Sequence, residues 1–314
     1  MLELIIGVFI TFFTTLLRTF IARRIGHVGR DIHKKDRRMI PESAGVGMRI
    51  GSLYVMRALK DLYPGIERFA LTIFLVGLVG LIDDFVELGP KTKPLLTFLA
   101  GIPALKASPY YIDTLLGKVR AESLMKVAVP AGYAVYANAT NMIDSMNTVA
   151  VFGTAMILAY QTVLLKLMNN DYYLLALAFL LIVLAYLPFN LYPAHAFNGD
   201  VGDFVMGSMV FTVALCGGII LPTLVVSIPI ITNGRAFVSS VGLKTRKEAP
   251  PLVEIDEKTY KMRANPLVKG RPATLVRLMV STSGEASETD IIRYYVFFFL
   301  FSLLLGIIVG VFYV

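Results

Sequence analysis

Apolar residues in this chain gather in long blocks, and polar residues fall in short stretches between them. Blocks such as 71–82, 172–187 and 295–314 are long enough, or nearly so, to cross a hydrocarbon core of ~30 Å. Candidate spans lie at about 2–21, 44–59, 69–82, 94–106, 123–143, 148–167, 172–189, 204–216, 218–231 and 291–314. The pattern predicts an all-α polytopic integral membrane protein with about ten transmembrane helices. Several spans are short, which burial among other helices or local bilayer thinning permits. The boundary at Cys216-Gly217-Gly218 stays open, because 203–231 reads as one long bent helix or as two. One sizeable polar segment, 235–290, is too long for a turn and reads as a functional loop over a site. With no fixed-period repeat and no low-complexity tract, residues 1–314 read as a single transmembrane domain.

Composition supports the membrane reading. Of 314 residues, 56% are hydrophobic and 17% charged, against about a quarter charged in soluble domains. The net charge of +8 comes from bases concentrated at 23–38 and 235–277, beside apolar spans. That is a topology signal, and no basic helix interleaved with stacking aromatics suggests nucleic acid. The first block lacks a basic leader and a small-residue cleavage site, so it reads as a span and not a signal peptide. Ten spans put both termini outside and place 23–38, 83–93, 144–147, 190–203 and 235–290 inside. The outer loops 60–68, 107–122 and 168–171 are shorter and poorer in bases, as cytoplasmic retention of Lys and Arg requires. The lone Cys216 excludes a disulfide framework and reads as a small core residue.

Charged groups at membrane depth are costly, so polar clusters at span ends are candidate functional sites. Asp83-Asp84 closes the apolar run LVGLVGLIDD, with Lys91 and Lys93 just beyond. Acids at a helix C-terminus oppose the macrodipole, which makes an ordinary helix end a poor account of them. Asn138, Asn141 and Asp144 step three residues apart and share one helix face. Asn147 then suits an N-cap for the helix opening near Thr148. Interhelical hydrogen bonding is the plainer reading of that segment. The stretch from Pro188 to Asp203 reads as a shaped loop, in which Gly199 and Gly202 beside Asp200 let backbone approach a ligand. Carboxylates, amides and lysines on one face suit Mg²⁺ and phosphate. The scattered histidines (His27, His33, His195) and the absence of HExxH make zinc a poor fit, and no Walker A or GxGxxG loop is present.

These motifs resemble the polyprenyl-phosphate N-acetylhexosamine-1-phosphate transferases. The resemblance rests on Asp31-Ile-His-Lys34, Arg37 and Ile40-Pro41-Glu42-Ser43-Ala-Gly45-Val46, then Asp83-Asp84 with Lys93. It continues through Asn138-x-x-Asn141-x-x-Asp144-x-x-Asn147 and Phe189-Asn190-x-x-Pro193-Ala194-x-x-Phe197-x-Gly199-Asp200. The first segment and Asn147 are more similar to the eukaryotic and archaeal dolichyl-phosphate GlcNAc-1-phosphate transferases than to bacterial enzymes. No histidine follows His195, which argues against a muramyl-pentapeptide donor. Ser145 and Thr148 stand where relatives often carry glycine.

The resemblance implies transfer of GlcNAc-1-phosphate from UDP-GlcNAc to a polyprenyl (dolichyl-type) phosphate at the cytoplasmic face, with UMP released. It implies Mg²⁺, with Mn²⁺ as a substitute, held by Asn141 and Asp200. Lys93 would bind the diphosphate, and Asp83 and Asp84 would position the lipid phosphate, with Asp83 the family's proposed base. Because a phosphate monoester is already largely dianionic at neutral pH, Asp83 is expected mainly to orient it. Asn147 and Phe197 would read the uracil, and Glu42, Asn138, Asp144 and Arg271 (with Lys269 nearby) would complete the substrate site. Alternatives are the same reaction with another UDP-N-acetylhexosamine or UDP-MurNAc-pentapeptide, and, outside the class, a proton- or ion-coupled transporter. A transporter would favour inverted repeats and mid-membrane acids, which are not visible. The implied setting is a prokaryotic (archaeal) plasma membrane, or the endoplasmic reticulum of a eukaryote. A homodimer is compatible with it.

Overall fold

The computed structural model describes residues 1–34, 36–108, 111–114, 117–241, 251–268 and 274–314. Helix α1 (Leu2–Ile25) leads through the hairpin β1 (Val28–Arg30) and β2 (Met39–Pro41) into α2 (Val46–Ala58), α3 (Ile66–Phe85) and α4 (Thr92–Ala100). A 3-10 turn at Ile102–Lys106 and the hairpin β3 (Tyr111–Thr114) and β4 (Gly117–Arg120) follow. Then come α5 (Glu122–Ile143), α6 (Val149–Leu167), α7 (Tyr173–Asn190) and α8 (Gly199–Cys216). After α9 (Ile220–Val226) and α10 (Ile228–Val241), β5 (Val253–Ile255) and β6 (Met262–Ala264) pair antiparallel. A 3-10 turn at Pro266–Val268, α11 (Leu275–Ser283) and α12 (Glu288–Gly310) complete the chain.

Helix α8 is the hub of the bundle. It packs against α2, α3, α5, α6, α7 and α9, and 83% of its apolar window is buried. By contrast α1 and α12 are only 28% buried and present Phe9, Phe13, Leu17, Phe297, Leu304 and Ile308 outward. A helix apolar all round and half bare needs a hydrocarbon solvent. Inside the bundle the polar side chains cross-link helices: Tyr133 Oη lies 2.8 Å from Thr212 Oγ1, and Gln161 Nε2 donates to the Val210 carbonyl at 2.9 Å. Such bonds are worth about 0.6 kcal/mol each in a membrane bundle, enough to fix rotation about helix axes more than to drive association.

Each predicted span corresponds to helix, but not every one of these helices is long and apolar enough to cross a membrane by itself. Among the described residues, five helices are long and apolar enough to cross a membrane (α1, α6, α7, α8, α12), or six with the bent pair α9–α10. The others fall short for plain reasons. α2 has 13 residues and α4 has 9, while α3 carries Glu67, Arg68, Asp83 and Asp84. The uncertain stretch after Asp203 breaks twice, at the glycines following Cys216 and again at Ser227, where α9 and α10 meet at 72°. The polar segment 235–290 is less of a loop than its composition suggests, since it holds the end of α10, the third hairpin and α11.

Helix ends gather in two polar zones. In one, the Tyr63 hydroxyl donates to the Asp171 carbonyl at 2.7 Å, Tyr63 stacks on Tyr172, and Asn170 Nδ2 donates to Gly217 O. The other collects the C-terminal ends of α3 and α5, the N-terminal ends of α2, α4 and α8, and nearly all of the carboxylates and amides marked by the motifs.

Candidate active site

The site is built where α3 ends and α8 begins. Asp200 occupies the first turn of α8, where a helix N-terminus favours an acid. Asp84, at the opposite pole of α3, accepts from the α8 backbone: Asp200 N at 2.6 Å and Val201 N at 3.5 Å. The acid that the dipole of its own helix disfavours is therefore held by the free amides of another helix. Ser43 hydrogen-bonds the same carboxyl, and its Oγ lies 3.0 Å from His27 Nε2. Gly199 stands at φ 67 with Asp84 so close that a Cβ there would lie 2.6 Å from Asp84 Oδ2.

Lys93 is the central cation. Its Nζ contacts the Asp83 carboxylate and lies 2.6 Å from Asp200 Oδ2. Asp83 also accepts from Leu88 N at 2.6 Å, fixing the turn that returns the chain from α3 to α4. On the other flank Asn141 Nδ2 donates to Asp200 Oδ1 at 2.5 Å and to Asp203 Oδ2 at 3.1 Å. Asp203 is 1% exposed and also accepts from Asn198 Nδ2 at 3.0 Å, and Asp144 lies within hydrogen-bond reach of both Asn198 and Asp203. One ammonium thus faces a row of carboxylates.

Several expectations about local structure change. The stretch from Pro188 to Asp203 is not all loop: α7 runs through Pro188 to Asn190, and Asp200, Gly202 and Asp203 already belong to α8. Gly199 and Gly202 also serve close packing within the protein. They let the chain meet itself, since a Cβ on Gly45 would lie 2.2 Å from the Gly202 Cα. Asn147 is not the cap of α6; that position belongs to Thr148, with no side-chain cap bond. Thr148 sits at φ 79, a conformation glycine takes at little cost and a β-branched residue rarely adopts. It is held there by Asn190, whose Oδ1 accepts from Thr148 N at 2.9 Å, and by Tyr192 N, which donates to Thr148 Oγ1 at 2.8 Å.

Of the other candidates, Asn138 turns away from the cluster and donates to Thr97 Oγ1 at 2.9 Å, pinning α4 to α5. Phe197 is zipped by its backbone to the end of β2 and the segment after it, through Pro41 O and Ala44 N. Glu42 lies beside His27, 3.9 Å from its Nε2. Asn147 sits in a second buried group with Asp31, Lys34 and Glu288. Arg271 and Lys269 lie outside the described residues. Reading the motifs gave no role to Asp203 or Asn198, though both lie in the polar stretch ending at 203, and did not single out Glu288. Asp203 lies three residues after Asp200, one helical turn on, and the spacing alone could have found it; Glu288 reads in sequence only as a helix-opening acid.

Among the described residues, no three of His, Cys, Asp and Glu are disposed to hold a metal by themselves. The donor set nevertheless fits Mg²⁺, which takes oxygen ligands and commonly uses one or two carboxylates with substrate phosphates. Asp200 offers carboxylate oxygens, and a half-turn of the Asn141 amide would replace its Nδ2 by its oxygen.

Residues 67–218, which include Asp83, Asp84, Lys93, Asn141 and Asp200, match the family model described as Glycosyl transferase family 4. The chain resembles that family over this stretch, just under half of its length, and its apolar helices are those of a membrane protein. It is 28% identical over 275 residues to a Sulfolobus acidocaldarius protein provisionally named a UDP-N-acetylglucosamine–dolichyl-phosphate N-acetylglucosaminephosphotransferase, covering 83% of this chain and 82% of that one. A protein of the same provisional name from Saccharolobus solfataricus is 26% identical, over 74% of this chain and 76% of the relative. A Bacillus subtilis protein provisionally named an undecaprenyl-phosphate N-acetylglucosaminyl 1-phosphate transferase is 23% identical, over 80% of this chain and 75% of its own length.

Proposed function

We propose that this protein transfers GlcNAc-1-phosphate from UDP-GlcNAc to a polyprenyl phosphate of the dolichyl type, in a Mg²⁺-dependent reaction at the cytoplasmic face. The observation that carries the reading is Lys93 bridging Asp83 and Asp200 beside Asn141, inside the stretch that matches the family. An oxygen of the lipid phosphate attacks the β-phosphorus of the nucleotide sugar. The bond from that phosphorus to the bridging oxygen breaks, and UMP leaves with the bonding electrons. Both reactants are anions, so charge neutralisation and alignment are the main tasks.

Mg²⁺ held by Asp200 and Asn141 would neutralise the diphosphate. Lys93 is placed to bind the transferring group, because its ammonium already lies between two carboxylates that a substrate phosphate can replace. Asp83, tethered by Leu88 N, orients the acceptor phosphate from the membrane side. Asp84 acts one step back by holding the first turn of α8 and so Asp200. Asn147 and Phe197 meet the uracil, with Glu42 and Asp144 at the edges of the substrate site. Residues 1–314 act as one transferase unit. Arg23 and Arg24 in the last turn of α1, and Arg30 and Lys34 just after it, lie on the same side as the site, which supports a cytoplasmic orientation.

Purified protein, UDP-GlcNAc, a polyprenyl phosphate and Mg²⁺ should yield UMP and a lipid diphosphate sugar, and EDTA should stop the reaction. Asp200→Asn should fold yet lose activity. Near-parental turnover of that variant at low Mg²⁺ would sink the metal assignment. Competition among UDP-sugars in the same assay identifies the donor.

A further inference from the structure

Asn147 belongs to a closed ring of four polar residues drawn from three distant segments. Asp31 and Lys34 lie between β1 and β2, Asn147 joins α5 to α6, and Glu288 opens α12. Lys34 Nζ pairs with the Asp31 carboxylate and lies 3.0 Å from Glu288 Oε2. Glu288 Oε1 accepts from Asn147 N at 3.3 Å, and Asp31 Oδ2 accepts from Asn147 Nδ2 at 3.3 Å. Asp31, Asn147 and Glu288 are 4%, 7% and 3% exposed, so the ring is shielded from water. Lys34 also sits 4.7 Å over the Tyr192 ring. One carboxylate thus grips the Asn147 backbone, the other grips its side chain, and a single ammonium ties the two together.

This arrangement decides which way the amide points. An ionised carboxylate accepts and cannot donate, so the edge of Asn147 that meets Asp31 must be its NH₂ group. The carbonyl Oδ1 then points away from Asp31, and no described residue donates to it. Flipping the amide would set Oδ1 against Asp31 Oδ2, two acceptors face to face. Uracil and cytosine differ at the positions an amide reads: uracil offers an N3 donor beside an O4 acceptor, cytosine an N3 acceptor beside an N4 donor. A fixed carbonyl opposite N3 selects the first pattern, and a flipped amide selects the second.

We propose that Asp31, Lys34 and Glu288 are positioning residues that lock the Asn147 carboxamide in one orientation and thereby make the donor site select uracil over cytosine. The proposal rests on the reading that Asn147 meets the base. Asp31→Asn removes the acceptor-only constraint, because an amide at 31 can pair with either edge of Asn147. Glu288→Gln is the gentler variant, weakening the grip on Lys34 with little change of shape.

The test is calorimetric binding of UMP and of CMP to the full-length protein in detergent with Mg²⁺. The parent should prefer UMP by about ten- to a hundredfold, the worth of one bidentate base contact. Asp31→Asn should cut that ratio by about tenfold, and Glu288→Gln by less, while Lys34→Arg should keep it. In turnover, the KM for the nucleotide sugar should rise and the KM for the lipid phosphate should not. A general packing defect would move both. If the parent discriminates and both variants melt like it yet keep its ratio, the locking role is wrong and the base site stands. A parent that does not distinguish UMP from CMP overturns the inference, and one that binds neither nucleotide overturns the base site as well.

Discussion

Asp84→Asn separates two jobs that the paired acids could share. The Asp84 carboxylate accepts from two amides in the first turn of α8, at 2.6 and 3.5 Å. Side-chain acceptors at a helix N-terminus are worth about 1 kcal/mol, and a negative charge there adds ~0.3–1 kcal/mol. Asparagine keeps the shape and one acceptor oxygen, so the variant should lose about 1 kcal/mol, and Asp84→Ala about 2 kcal/mol. In a chain of this size that lowers the melting temperature by roughly 2–4 °C per kcal/mol. The catalytic cost should be larger than the stability cost, because the loosened turn carries Asp200. A misplacement of ~1 Å at a reacting group costs on the order of a hundredfold in rate. We therefore expect kcat to fall by about ten- to a hundredfold with the KM for lipid phosphate unchanged. Thermal unfolding in detergent and initial rates at varied lipid phosphate measure both. An Asp84→Asn protein that melts like the parent but shows a raised acceptor KM would mean that Asp84 binds the acceptor and that its hold on α8 is incidental.

Three further outcomes follow from the same geometry. Lys93→Met should lower kcat by about 10²–10³-fold, the usual cost of removing one preorganised charge partner of a transition state, with loss of less than tenfold counting against its place at the diphosphate. Thr148→Val keeps the branched shape but leaves Tyr192 N without its acceptor, so it should destabilise by about 1–3 kcal/mol; an unchanged melting curve would show that the hydroxyl does not hold this turn. Burial holds the His33 imidazole below its ordinary value of 6.5 against the opposing pull of the Asp31 carboxylate, and the neighbouring Lys34 pushes the same way as burial. A histidine depressed on folding contributes stability above 6.5 that is lost as pH falls from there through its folded value. The parent should therefore lose more stability than His33→Gln over that range, and parallel melting profiles for the two would refute it.

The helices were legible because apolar blocks leave a strong signal, and every span predicted from them is helical. Their number as membrane spans was less legible, since hydropathy does not report whether a short block such as α4 crosses or wedges against its neighbours. The main site was legible for a different reason. Asp83, Lys93, Asn141 and Asp200 stand at span ends, where a polar group is expensive, so their positions drew attention before any contact was known. Backbone detail was hidden. Asn147 has the composition of a cap but is drawn away by Asp31 and Glu288, partners 116 and 141 residues distant. Thr148 in a glycine-like conformation depends on Asn190, 42 residues away.

The acids at the end of α3 show how a local rule can point to the right place for an incomplete reason. Against its own helix dipole the Asp83-Asp84 pair is misplaced, and that misfit singled it out in the sequence. In three dimensions the pair divides. Asp84 is compensated by the amide groups of α8, and Asp83 by the Lys93 ammonium. The first bond fixes where Asp200 stands, and the second gives it a common partner with Asp83, since Lys93 also reaches Asp200. Two neighbouring carboxylates on one helix thus set the position and the charge of a third on another. The unfavourable helix end is a necessary part of that arrangement. An acid at the C-terminal pole of α3 lies close enough to the N-terminal pole of α8 to hold its amides, and the same junction brings α3, α5 and α8 to one point.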